Sequence, residues 1–380
     1  MKTICLYSEE AKYCFEDDLY EKGVSGTLFS TMQLCIGLRD NGYKVVLIGK
    51  YPDTVSIKGI LYQSISGIDS LDEFVEGSGC NVFIYIGAIS SMPENRLSCE
   101  KIYYWCHNWV DFNPYLEYFN DNKLDGFIFV SYYHLLMTAV NSIKKGFLFR
   151  QLFSSRVMHN SLDLDLLNNV QEKHDDKLDF INLAFVGYPS KNKGIIDALS
   201  IASTLAKKND VVFNIYGGKE LYGHTGGVEA DLSNYDCLSI VEHGTLNRLQ
   251  LYPEIQKQHF LVAGLTGSET FCVSIAEGIA LGVPSITSKK GGQNEIISKT
   301  CSLFLEDFED KNCYSLNKKI ENIKREIEND KNRIKNDFSR ENITKRWSCL
   351  IEGTWCLPKV RYLSRALYAI FNGLLCRLFK

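Results

Sequence analysis

This 380-residue sequence is first informative through what it does not contain. Neither sign of charge is in excess: 42 Lys and Arg stand against 46 Asp and Glu, a net charge of −4, which gives no hint of a nucleic-acid partner. No apolar run reaches the about 18 residues needed to span a bilayer. The nearest candidate, Ala366 to Phe379, is interrupted by Asn372, Gly373 and Arg377, so the chain is not expected to cross a membrane. Thirteen cysteines are present but no CxxC pair, and Cys35, Cys106, Cys272 and Cys349 sit inside apolar runs. They read as free thiols of a reducing compartment. The opening MKTICLYSEE turns polar and acidic after a very short apolar run, as a first strand does and a signal peptide does not. A cytoplasmic place is therefore expected. No GxGxxG follows the first strand, which weakens a dinucleotide-oxidoreductase reading. No DxD pair follows an expected strand, so no metal or other cofactor is expected.

What is present describes a globular chain, 45% hydrophobic and 23% charged, and long enough for two domains with full cores. Thr3 to Tyr7 reads as a strand, a polar loop runs to Gly26, and Thr27 to Leu38 carries a helical stripe of Leu28, Met32, Cys35 and Ile36 that ends near Gly42. Val45 to Ile48 is the next strand. The pattern recurs at Val82 to Ile86, Lys101 to Trp105 and Gly126 to Val130, which predicts a doubly wound α/β architecture. Ile181 to Val186 opens a second unit of the same kind, followed by a helix from Ile195 to Lys207 and strands at Val211 to Gly218 and Ser239 to Glu242. Asn317 to Lys335, with Ile320, Ile323, Ile327 and Ile334 at helical spacing, reads as an amphipathic surface helix.

The most informative stretch is LTGSETFCVSIAEGIALGVPSITSKKGGQNEII, Leu265 to Ile297. The apolar run Phe260 to Leu265 reads as a buried strand that enters the turn Thr266-Gly267-Ser268, with Glu269 directly after it. From Thr270 to Leu281, Val273, Ala276 and Ala280 and then Ile275 and Ile279 recur at helical intervals; Gly282 stops the helix and Val283 to Thr287 is the next strand. A strand, a short loop and a helix start gather backbone N–H groups around one point, where the helix dipole favours a phosphate. Glu277 lies seven residues beyond Glu269, so both carboxylates can serve one mouth and accept hydrogen bonds from sugar hydroxyls. By spacing alone a capped surface helix with two solvated acids is the commoner reading, since strand-turn-helix units are very common.

Three other places carry candidate chemistry. Gly23-Val24-Ser25-Gly26 precedes the first helix, either as turn residues or as glycines that let a ligand approach backbone N–H groups. In the loop Gly187 to Gly194, Lys191 and Lys193 stand ahead of a helix start, either solvated or adding positive charge to it. KIYYWCHNWVDF, Lys101 to Phe112, is a strand that ends in a polar, aromatic loop with His107, Asn108 and Asp111, at the kind of strand end where open α/β sheets bind ligands. The aromatics Tyr103, Tyr104, Trp105, Trp109, Phe112, Tyr115 and Tyr118 suit core packing or a stacking platform for an acceptor sugar.

Glu269, seven residues and Glu277, with Phe271 between them and Gly282-Val283-Pro284 and Gly291-Gly292 downstream, closely resemble the donor-site signature of the retaining GT-B glycosyltransferases of family four. The resemblance implies a GT-B fold: two Rossmann-like, doubly wound domains facing a cleft, with a C-terminal helix that crosses back to the first. Arg156 to Asp163 resembles the family's hinge, so the expected division is residues 1–163 on the acceptor side, 164–337 for the nucleotide sugar, and 338–380 for the closing helix and tail. The resemblance also implies roles. Lys193, with the N–H groups after Glu269, would neutralise the departing diphosphate, and Glu269 would orient the donor sugar. Glu277 would hold the ribose, and His107 would contact the sugar from the opposite domain. Donor contacts would come from Gly23, Gly26, Tyr188, Lys191, Thr270, Phe271, Cys272 and Val273. Where the family places an Arg, this chain has Tyr188: either Lys191 restores the charge or leaving-group stabilisation rests on Lys193 and backbone donors alone.

The tail Pro358 to Lys380 carries Lys359, Arg361, Arg365, Arg377 and Lys380 with no acidic residue, mixed with Leu, Phe and Tyr. Such a segment fits an anionic membrane face or the surface of the first domain; the functional reading favours the membrane. The expected activity is sugar transfer, with retention, from a nucleotide sugar to a glycan, specifically a lipid-linked oligosaccharide of bacterial surface-polysaccharide (O-antigen or capsule) synthesis. The competing reading is a GT-B protein that binds a nucleotide sugar but has lost turnover, prompted by Tyr188.

Overall fold

Runs that are apolar at every position, such as Ile4 to Tyr7 and Val45 to Ile48, have no solvent face and must be covered on both sides, the situation of a strand in a parallel sheet. The computed structural model, which describes residues 1–11, 14–147, 149–170, 180–207, 209–218, 227–267, 269–298, 301–308 and 313–354, shows this arrangement in two α/β units. The first comprises Met1–Glu16, Thr27–Ser161 and the chain from Arg340; the second comprises Asp17–Gly26 and Leu162–Ser339.

In the first unit the strands are β1 (Thr3–Ser8), β2 (Lys44–Gly49), β3 (Val55–Ile57), β4 (Ile60–Ser64), β5 (Val82–Ile86), β6 (Lys101–Cys106), β7 (Gly126–Phe129) and β8 (Ser155–Val157). They lie in the order β3-β4-β2-β1-β5-β6-β7-β8, parallel throughout except for the β3–β4 hairpin. β1 and β5 are buried at every residue. The hairpin was not legible in the sequence: its turn is Lys58-Gly59, both at positive φ (49° and 83°), and Lys lacks the left-handed preference of the usual Asn or Asp.

The helix Arg340–Ile351 belongs to this unit and closes it. Trp347 is fully buried edge-on to Trp105, with ring centroids 4.9 Å apart. A Cβ at Gly37 would meet Thr344 Oγ1 at 2.0 Å, so only glycine lets the two helices approach there. Just past the helix, Glu352 accepts from Tyr43 Oη at 3.0 Å and pairs with Lys2 at 3.0 Å. The basic tail, 358–380, lies outside the described residues.

The second unit has β9 (Phe180–Val186), β10 (Asp210–Tyr216), β11 (Ser239–Gly244), β12 (Phe260–Val262), β13 (Ser285–Thr287) and β14 (Ser302–Phe304), all parallel, in the order β11-β10-β9-β12-β13-β14. Its core joins Leu183, Phe185, Phe213, Ile215, Val262 and Ile286 to Ile195, Leu199 and Ala202 of the helix Ile195–Ala206. Asp17–Gly26, in the first βα connection, packs with this second unit. Tyr20 Oη donates to Asp163 Oδ2 at 3.3 Å, and Asn247 Nδ2 donates to the Glu21 carbonyl at 3.3 Å.

Candidate active site

In the second sheet the direction of winding reverses between β9 and β12, and the carboxyl ends of strands at such a reversal are where open α/β sheets form a binding crevice. Glycines let the backbone turn there. Gly187 and Gly217 adopt φ of +132° and +133°, and a Cβ on Gly217 would lie 2.4 Å from the Gly187 carbonyl oxygen. After β9, Ser190 Oγ accepts from Lys193 N at 3.3 Å to form a tight turn, and Gly194, at φ +82°, leads into the helix Ile195–Ala206. Thr266 Oγ1 donates to the Asn192 carbonyl at 2.8 Å, which ties the loop after β12 to the loop after β9.

That stitching brings Lys193 and Glu269 together: Lys193 Nζ meets Glu269 Oε1 at 2.8 Å, with the lysine side chain 43% exposed and the glutamate 13%. The Glu269 carbonyl accepts from Gly292 N at 2.8 Å, which anchors the pre-helix loop to the Gly291-Gly292 turn. The helix itself starts at Val273, not at the expected Thr270, because Cys272 is left-handed at φ +73°. For a non-glycine residue that conformation costs about 1–2 kcal/mol. Burial first, then the charge of Glu269, pushes the Cys272 thiol up to about 12, so it stays protonated at neutral pH. Thr270 is half-buried; Phe271 is buried edge-on to Phe338 at 5.5 Å. Gly26, the first residue of the helix Gly26–Asp40, stands against Val273, whose Cγ2 would be 3.8 Å from a Cβ there, and Gly23 lies three residues earlier in the half-exposed loop before that helix.

Glu277 is 2% exposed on the helix Val273–Ala280, and its partners come from the helix Arg248–Gln256. Arg248 Nε donates to Glu277 Oε1 at 2.7 Å and Tyr252 Oη donates to the same oxygen at 2.8 Å. Burial opposes the Arg248 charge, yet the adjacent Glu277 outweighs it and raises the guanidinium pKa. The two glutamates of the spaced pair thus have separate cationic partners.

Tyr188 does not stand alone. Its hydroxyl donates to Glu229 Oε1 at 2.5 Å, while Glu229 Oε2 accepts from Lys191 N at 3.1 Å. Glu229 N in turn donates to the Pro189 carbonyl at 2.9 Å, so one residue braces the whole 188–191 turn. Lys191 itself is exposed.

His107 belongs to the first unit, immediately after β6. It is 4% exposed, with its ring 4.2 Å from that of Trp105. Burial and, secondarily, the neighbouring His134 lower its pKa to about 3, which makes it a neutral imidazole. His134 is likewise lowered to about 3 by burial; it lies edge-on to Trp109 at 4.7 Å, and Trp109 is 40% exposed.

Four residues of this region were not singled out by sequence: Arg248, Tyr252, Glu229 and Gln293. Gln293 is fully buried and donates to the Gly264 carbonyl at 2.9 Å and the Lys290 carbonyl at 2.6 Å, joining the exits of β12 and β13. Arg248 and Tyr252 did leave a signal, an apolar helix pattern with a cation and a phenol four residues apart on one face. Glu229 and Gln293 left none, because their partners are main-chain atoms or distant side chains. Asp163, at the end of the segment Arg156–Asp163, is a helix cap: its Oδ1 accepts from Leu166 N at 3.2 Å.

Residues 181–322 match the model of the family described as glycosyl transferases group 1. No curated protein matches the sequence. Among solved structures, a glycosyltransferase from Rickettsia africae ESF-5 is similar over 93% of this chain and 98% of its own, at 15% identity and a TM-score of 0.65. Sucrose-phosphate synthase from Thermosynechococcus elongatus is similar over 93% and 99%, at 15% identity and 0.63. HepE from Anabaena, in complex with UDP and glucose, is similar over 93% and 100%, at 11% identity and 0.62. The chain is therefore built on the GT-B glycosyltransferase fold, and the part of it that holds Lys193, Glu269 and Glu277 carries a group 1 glycosyl transferase match that supports sugar transfer.

Proposed function

We propose that the protein is a retaining glycosyltransferase that moves a sugar from a nucleotide sugar to a hydroxyl of a glycan. The observation that carries this reading is the Lys193–Glu269 pair at the crevice between the ends of β9 and β12, beside the start of the helix Val273–Ala280. An ammonium has three donors, so Lys193 can keep Glu269 and still meet a phosphate oxygen. As the bond between the anomeric carbon and the diphosphate breaks, negative charge grows on the leaving oxygen. Lys193 and the helix N–H groups offset it, a stabilisation specific to the transition state. The acceptor oxygen attacks from the same face and passes its proton to the departing phosphate, which explains retention without a side-chain base. Glu269 accepts from hydroxyls of the transferred sugar, Glu277 from the ribose. His107, neutral here, contributes to the sugar a hydrogen bond rather than a charge. With Lys193 in this role no metal is required, and EDTA leaves activity unchanged.

The UDP in the Anabaena HepE structure supports a uridine nucleotide as the first donor to try. For the acceptor we propose a lipid-linked oligosaccharide of bacterial surface-polysaccharide synthesis, with the basic tail 358–380 resting on an anionic membrane face; the composition of that tail supports both. The alternative of a nucleotide-sugar-binding protein without turnover draws on Tyr188, which Glu229 engages where the family has an Arg. Incubation with UDP-, GDP-, dTDP- and ADP-sugars, followed by detection of the released nucleotide with and without EDTA, separates the readings. Turnover of one donor supports the transferase. Binding with no release, even of the slow hydrolytic kind, supports the alternative.

A further inference from the structure

Both hydrogen bonds that hold Glu277 end on the same oxygen. Arg248 Nε, 2.7 Å away, and Tyr252 Oη, 2.8 Å away, reach Oε1, and among the described residues no hydrogen bond reaches Oε2. The three side chains are buried: Arg248 is 8% exposed, Tyr252 1% and Glu277 2%. A carboxylate held by one oxygen in this way cannot rotate freely, and its second oxygen keeps a fixed direction. The charge arithmetic matters as well. A lone glutamate beside a diphosphate would repel it, whereas the guanidinium of Arg248 cancels the carboxylate charge and leaves a neutral hydrogen-bond acceptor in effect.

Resting on the nucleotide-sugar reading, we infer that Arg248 and Tyr252 are positioning residues that aim Glu277 Oε2 at the ribose diol and so make the donor site selective for ribonucleotides. The bland competitor is a polar brace between the helices Arg248–Gln256 and Val273–Ala280 with no part in recognition. The two differ in one readout. Loss of a brace weakens every nucleotide alike; loss of a positioning pair erases the preference for the hydroxyl.

The test measures, by calorimetry on the full chain, the Kd of UDP, GDP and ADP, and then of the 2′-deoxy and 3′-deoxy forms of whichever binds. The wild type should prefer the ribonucleotide about tenfold or more, the worth of a hydrogen bond to a charged acceptor. Tyr252→Phe should narrow that ratio severalfold, and Arg248→Met should bring it to within about twofold. Tyr252→Phe removes a single hydroxyl and preserves the ion pair, so it still reports if Arg248→Met does not fold. A ratio that stays at its wild-type value in the variants that fold overturns the positioning role and leaves the donor reading intact. Failure of the wild type to bind any of the three nucleotides removes the donor reading itself, and this inference with it.

Discussion

In the second unit the charged side chains of the candidate site are matched in pairs, Lys193 with Glu269 and Arg248 with Glu277; where β6 and β7 end in the first unit, the buried ones are aromatic or neutral, with His107 against Trp105, His134 against Trp109, and Trp109 partly exposed. Lys193 and His107 both follow the carboxyl ends of parallel strands in doubly wound sheets, the same place topologically. The difference lies in the chemistry each is equipped for. Paired charges beside a helix start suit a diphosphate that gains charge as it leaves. A partly exposed aromatic ring such as that of Trp109 suits the apolar face of a sugar.

Removing one charge tests the charged side hardest. Arg248→Met should destabilise the protein by about 3–5 kcal/mol, because it strands a buried carboxylate. A fall in the urea midpoint of the transition that reports on the second unit is the check; an unchanged midpoint would show Glu277 to be solvated. Lys193→Ala comes next. It should lower kcat by about 10²–10³, the cost of losing one donor to a developing oxyanion. Stability should move by less than about 1 kcal/mol, since the Lys193 side chain is 43% exposed and such pairs contribute little. A proportionate loss of both would argue for a structural pair.

The neutral side breaks with acid. His107 and His134 have folded pKa values of about 3, against about 6.5 in an unfolded chain, so between these limits the unfolded chain binds more protons. Stability is full above pH 6.5 and falls below it, by about 2–3 kcal/mol at pH 5.5 for the two imidazoles together. Chemical denaturation at a series of pH values measures the slope, and His134→Gln should halve it. The smallest expected effect belongs to Tyr188→Phe, which loses the bond to Glu229. About 1 kcal/mol of stability should go, with turnover changed by less than about threefold. A large loss of kcat would instead give the Tyr188 hydroxyl a direct part in the reaction.

The comparison also shows what a sequence can reveal. Long apolar runs such as Val82–Ile86 and Lys101–Cys106 announced their strands, since a fully buried parallel strand has only one kind of residue to offer. The three-residue strands Ser155–Val157 and Ser302–Phe304 did not, being too short for any period. Within the site, Lys193, Glu269 and Glu277 were visible as charged residues at fixed distances from turns and helix starts. Their partnerships were not: nothing local to Glu277 points to Arg248, 29 positions away, nor does Tyr188 point to Glu229. The start of the helix at Val273 was missed for a related reason, because a left-handed Cys272 is fixed by packing and not by the habits of cysteine.

A nucleotide sugar held at the charged site of the second unit must stabilise the native protein. Melting temperatures of the metal-free protein with UDP-, GDP-, dTDP- and ADP-sugars, for the wild type and Glu277→Ala in parallel, test it most directly. Ligand at a hundred times its Kd adds about 2.7 kcal/mol to the native state. A clear rise is expected with one nucleotide class, and its loss is expected in Glu277→Ala. No rise with any donor, or an equal rise in the variant, would contradict such binding.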